Sequence, residues 1–130
     1  MLKIARVYEP KTDSSKRVLV DRLWPRGLTK EAAAIDEWLK NLAPSNELRQ
    51  WYGHEPEKYL EFKRRYLKEL SPPEKQSLLQ QLVTLAEESD VTLVYSAKNT
   101  EINNAVVLAE LINKLMNQRR TLDNKYRKER

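Results

Sequence analysis

Two short stretches of the chain carry apolar residues at nearly every position: Arg17-Val18-Leu19-Val20-Asp21 and Val91-Thr92-Leu93-Val94-Tyr95. A strand with one wet face alternates apolar and polar side chains, so a strand apolar on successive residues must be covered on both faces. Both stretches are rich in β-branched residues and end at turn-forming ones, as does a third, Lys3-Ile4-Ala5-Arg6-Val7-Tyr8. They predict a small, mostly parallel central sheet flanked by helices. At 130 residues the chain has length for one such core, a single α/β domain.

About 70 residues of helical pattern separate the second and third strands. Pro56 opens a helix whose apolar positions Tyr59, Phe62, Tyr66 and Leu70 recur at spacings of three and four, with Glu61 set to pair with Arg65 one turn on. Pro72-Pro73 stops it, and Pro73 can occupy the first position of the next helix, whose core face is Leu78, Leu79, Leu82, Val83 and Ala86. Residues 35–43 satisfy helical spacing through Ile35, Trp38, Leu39 and Leu42 and are read as helical, although Pro44 after Asn-Leu-Ala could equally end an extended segment. A final helix is expected from Asn99 or Thr100, either of which can cap it, burying Ile102, Ala105, Val106, Ala109, Ile112 and Met116.

Charge divides the chain at about residue 117. The net charge is +5, of which residues 117–130 supply +4 through six basic and two acidic side chains. This gives a domain over 1–116 and a basic C-terminal tail over 117–130. A protein that grips nucleic acid usually carries its basic face on the folded body, so the tail reads first as a solvated terminus, with nucleic-acid association as the alternative. Leu122 and Tyr126 are its only large apolar groups, too few to make it matter to stability. No apolar run is long enough to span a bilayer and the start lacks a signal-peptide core, so no membrane is expected and the expected location is cytoplasmic. The absence of cysteine excludes disulfides, thiol nucleophiles and cysteine metal sites, and a single histidine leaves no expectation of a metal or of a defined cofactor.

The only two glycines each sit among residues able to do chemistry. Gly27 closes Asp21-Arg22-Leu23-Trp24-Pro25-Arg26-Gly27, directly after the second strand, where Trp24-Pro25 forces an extended step and the chain must turn. Arg22 and Arg26 could project planar forks toward one phosphate or carboxylate, and Asp21 could orient them or act as a base. The alternative is structural: Asp21 and Arg22 pair with neighbouring segments and Trp24 fills the core. Gly53 lies in Trp51-Tyr52-Gly53-His54-Glu55-Pro56, where His54 is the only imidazole and so the candidate proton donor or acceptor; a turn or capping role is the plainer reading. The third cluster, Tyr95-Ser96-Ala97-Lys98-Asn99-Thr100-Glu101, runs from a strand end into a helix start, where backbone amides favour anions. If the strands before the first and third clusters are parallel neighbours, both clusters face the carboxyl edge of the sheet, where α/β folds collect ligands.

These segments, with Trp51-Tyr52-Gly53-His54-Glu55-Pro56-Glu57-Lys58, resemble the signatures of the DUF488 family in its short YeaO-like branch, over about residues 2–116. The resemblance implies a small α/β domain and a pocket, with no assigned reaction. The family usually follows the third strand with a tyrosine or cysteine, a basic residue, an aspartate, and one or two histidines shortly after a glutamate. Tyr95, Lys98 and Glu101 match, whereas Asn99 stands where aspartate is usual and Ile102 and Asn104 stand where histidines are usual. Binding geometry is therefore expected to survive better than catalytic capacity. The expected partner is an anionic small molecule held by Arg22, Trp24, Arg26, Gly27, Tyr95, Lys98, Thr100 and Glu101, with Asp21 and His54 as the candidates for proton transfer. The first reading is thus a small-molecule or nucleotide-directed enzyme or binder, and the alternative a nucleic-acid-associated or regulatory interaction protein that uses the basic tail.

Overall fold

A computed structural model of the chain describes residues 1–128. Four parallel strands form one sheet in the order β1-β4-β2-β3: β1 Leu2–Arg6, β2 Lys16–Leu19, β3 Glu37–Trp38 and β4 Val91–Tyr95. β4 lies between β1 and β2, in register Ile4 to Leu93 and Val18 to Leu93, so the two apolar runs are adjacent and parallel. Leu19, Val20, Leu93 and Val94 are all fully buried, the two-sided burial that consecutive apolar residues demand.

The two faces of the sheet are covered unequally. Val18, Val20, Val91, Leu93 and Tyr95 join the main core, beneath α2 Asn46–Tyr52, α3 Tyr59–Glu69, α4 Pro73–Glu88 and α5 Asn104–Lys128. Leu19 and Val94 point the other way into a small cluster with Val7 and Ala33, covered by the short helix α1 Lys30–Ala33 and by loops bearing Trp24, Leu28 and Ile35. The helical repeats place Phe62, Tyr66 and Leu70 in the main core, followed by Leu79, Leu82, Val83 and Ala86. Glu61 pairs with Arg65 at 2.7 Å, and with Arg64 as well. A single turn of 3-10 helix, Pro56–Lys58, precedes α3.

Two local expectations are corrected. Residues 35–43 are not one helix: Glu37–Trp38 is the edge strand β3 and Lys40–Leu42 a 3-10 turn. The open edge of β2 captures this backbone, because Asp36 N–H donates to Arg17 C=O and Leu39 N–H to Leu19 C=O, both at 2.9 Å. The last helix begins at Asn104, not near Thr100. Asn99 Oδ1 does accept from the amides of Glu101 and Ile102, as a cap would, but Asn103 Nδ2 then takes the Asn99 carbonyl and the turn does not propagate. Asn103 Oδ1 instead accepts from Val106 N–H and starts α5. Its fully buried apolar residues are Ala105, Val107, Leu108 and Ile112, while Ile102 lies before it.

α5 runs unbroken past residue 116, and Arg119 fastens it to α4 through Gln80, Thr84 and Glu87. Of the expected tail, Glu129 and Arg130 lie outside the described residues. No helix among the described residues is long and apolar enough to cross a membrane.

Candidate functional site

The carboxyl ends of β2 and β4 open into a cleft of about 330 Å³, at the small end of the range for ligand pockets. The loop after β2 forms one wall with Asp21, Arg22, Leu23, Trp24, Pro25 and Arg26. Ser96 and Ala97 after β4 and Asn103 and Asn104 at the start of α5 form another, and Arg49, Tyr52, His54 and Phe62 close it from the helical side.

Asp21 is the knot that holds these walls together. Its Oδ2 accepts from Ser96 N–H at 2.8 Å and Ser96 Oγ at 2.7 Å, and its Oδ1 accepts from Asn104 Nδ2 at 3.0 Å. Its backbone carbonyl accepts from Trp38 Nε1. These bonds make Asp21 the link between the loop after β2, the loop after β4 and the start of α5. Arg22 turns its fork inward, Nε to Pro44 C=O at 2.7 Å and an Nη to Ala43 C=O at 3.2 Å, and clamps the segment that leads into α2. Trp24 donates Nε1–H to Leu28 C=O and meets the Trp38 ring edge-on at 5.6 Å. At these three residues the structural alternative describes what their polar groups do, although all three also line the cleft.

Gly27 shapes the loop. The turn is closed by Leu28 N–H to Pro25 C=O, and its third position has φ +83°, a conformation that favours glycine. Arg26 is exposed, with its carbonyl fixed by the Tyr8 hydroxyl at 2.9 Å and no side-chain hydrogen bond or ion pair among the described residues. His54 follows Gly53 at the end of α2, and both residues are left-handed, with φ of 59° and 53°. A left-handed histidine is a strained choice that presents its ring at the rim, tilted against Tyr52 with centroids 6.1 Å apart. Burial raises the pKa of the Tyr52 hydroxyl, which donates to Ile102 C=O.

The remaining expected residues sit elsewhere. Tyr95 is buried in the main core, where burial raises its hydroxyl's pKa, and Lys98, Thr100 and Glu101 are exposed on the loop before α5; none of the four lines the cleft, nor does Gly27. Sequence reasoning missed Arg49. It lies one turn before Tyr52 on α2, and its Nε is buried without a hydrogen-bond partner among the described residues. The available signal was its spacing, three and four residues ahead of Tyr52 and Gly53, which puts it on the helix face that carries the Trp-Tyr-Gly-His cluster. Among the described residues no three acidic or histidine side chains gather as metal ligands.

Residues 1–128 match the family model described as "Inactive DUF488-N3 subclade", so the likeness extends through α5 rather than ending near residue 116. The chain is 45% identical over 111 residues to the uncharacterized protein YeaO of Escherichia coli strain K12, covering 85% of this chain and 95% of that one. It is 42% identical over 113 residues to the uncharacterized protein Rv3073c of Mycobacterium tuberculosis strain H37Rv, covering 86% and 93%. The uncharacterized protein Mb3100c of Mycobacterium bovis has the same identity and coverage. No solved structure matches the chain.

Proposed function

Because the chain belongs to the inactive DUF488-N3 subclade, we propose that its cleft binds a small anion, a phosphate or carboxylate group, without transforming it. The observation that carries this reading is the buried, unpartnered Nε of Arg49 on the cleft wall. A buried guanidinium nitrogen without an acceptor costs free energy, and an anion in the cleft supplies that acceptor. Arg26 adds a second fork from the loop after β2, with no competing partner among the described residues. In this reading Asp21 is a structural member of the site, its oxygens engaged by Ser96 and Asn104. His54 at the rim is the remaining candidate for proton exchange with a ligand.

Calorimetric titration of inorganic phosphate and of acetate into the protein tests the reading. Saturable binding of one equivalent is expected, weakened at least about tenfold by Arg49→Met and by roughly 1 to 3 kcal/mol by Arg26→Lys, which keeps the charge and loses the fork. Anion binding unaffected by both substitutions overturns the assignment. A second reading, nucleic-acid docking by the C-terminal helix, is favoured by the exposure of Arg120, Lys125 and Arg127 on the end of α5. It predicts DNA binding that falls steeply with salt and is lost on deletion of residues 117–130.

A further inference from the structure

Two of the large apolar side chains left exposed in this molecule, Tyr8 at 40% and Leu23 at 54%, stand on the same cleft as the guanidinium groups of Arg26 and Arg49. Tyr8 is held as a fixed platform. Its hydroxyl donates to Arg26 C=O at 2.9 Å, and the Arg6 guanidinium carbon lies 5.2 Å from its ring centroid. Arg6 is itself tied to the β4 loop through Ala97 C=O and Ser96 C=O. A rigid aromatic ring and an exposed leucine beside unsatisfied cationic groups suit a ligand with two unlike ends, one anionic and one flat and apolar.

We infer that the anion bound in this cleft is carried on a planar ring system that stacks on Tyr8 against Leu23, as in a mononucleotide or an aryl phosphate. The inference rests on the anion-binding reading above and adds the class of molecule. Most of the side-chain polar groups on the wall nearest β4 and α5 are already engaged. Asn104 Nδ2 serves Val20 C=O and Asp21, both amide groups of Asn103 are engaged by Asn99 and Val106, and the Ser96 hydroxyl donates to Asp21. Recognition therefore comes from the ring's face, which purines and pyrimidines share.

The probes are ribose 5-phosphate, adenosine monophosphate and cytidine monophosphate, titrated by calorimetry into the wild type, Tyr8→Phe and Tyr8→Leu, with adenosine as the phosphate-free probe and Arg49→Met as the anion control. The two variants lose the same hydroxyl and differ in the ring. The expected result is that both nucleotides bind at least about tenfold tighter than ribose 5-phosphate, the increment of one stacked ring, and lie within a few-fold of each other. Tyr8→Phe keeps that increment, whereas Tyr8→Leu brings both nucleotides down to the affinity of the sugar phosphate. Equal binding of sugar phosphate and nucleotides, or an equal loss in the two variants, overturns the stacking inference and leaves the anion reading standing if Arg49→Met still weakens the binding at least about tenfold. Tyr8-dependent binding of adenosine with no gain from its phosphate overturns the anion reading, and absence of binding by all these probes overturns both.

Discussion

At Asp21 a single carboxylate ties the end of β2 to the loop after β4 and to the first turn of α5, three segments that meet only in the folded chain. Asp21→Asn exchanges one acceptor oxygen for a donor that faces another donor, so a loss of about 1 to 3 kcal/mol in denaturant unfolding is expected. Tyr59 shows the opposite economy of contacts. Its hydroxyl is buried without a hydrogen-bond partner among the described residues, and burial pushes its pKa up to about 12. Tyr59→Phe removes an unpaired polar group and should stabilise the protein at neutral pH by up to about 1 kcal/mol. Burial also raises the pKa of Tyr52, Tyr66 and Tyr95. The folded state therefore holds these protons more tightly than the unfolded chain, and stability is full at neutral pH and falls as pH rises from about 10 toward 12. Tyr59→Phe should flatten that fall in melting temperature, and an unchanged slope would contradict the assignment. The types of these residues were legible in the sequence, but their partners were not: Asp21 finds Ser96 across 75 residues, and the bond is specified by the pairing of β2 with β4, not by local spacing.

The helices and central strands announce themselves at the element scale because periodicity and consecutive burial are local. β3 does not, since it consists of two residues recruited by backbone hydrogen bonds along the edge of β2, and the apolar spacing of 35–42 fits a helix equally well. The start of α5 was blurred for a related reason, with two asparagines four residues apart each capping a turn. Asn103→Ala should cost about 1 kcal/mol as the loss of a true helix cap, and more than Asn99→Ala, where only an isolated turn is capped; the order is read from urea midpoints. The end of α2 makes a conformational demand on His54, whose φ is 59°. His54→Val should destabilise by at least about 1 kcal/mol, because a β-branched residue resists the left-handed region, whereas His54→Gly should be neutral or stabilising.

For the whole molecule, the unequal covering of the sheet matters most. Four helices bury one face, and the other face, with its small cluster and long loops, leaves the carboxyl edge open beside Trp24 and Arg26. The sequence made the sheet and its buried strands legible, and it brought Asp21, Arg22, Trp24, Arg26 and His54 to notice by their unusual local company. It could not show that Arg22 turns away to Ala43 and Pro44, or that Arg49 lines the same cleft as Arg26, because both follow from how α2 docks. The C-terminal end of α5 is a weaker contributor. Leu122 and Tyr126 are more than half exposed, so deletion of residues 120–130, which spares Arg119, should lower the melting temperature by less than about 2 °C; a loss beyond about 5 °C would show that this segment packs on something.

Proposed binding without chemistry at the cleft lined by Arg26 and Arg49 can be read in a single experiment, phosphorus NMR of adenosine monophosphate. Titration with the protein should shift or broaden the phosphate resonance, Arg49→Met should largely abolish that response, and the total signal of the intact monoester should stay constant over a day. A resonance that ignores the protein, or inorganic phosphate that accumulates with the wild type and not with Arg49→Met, would contradict the account.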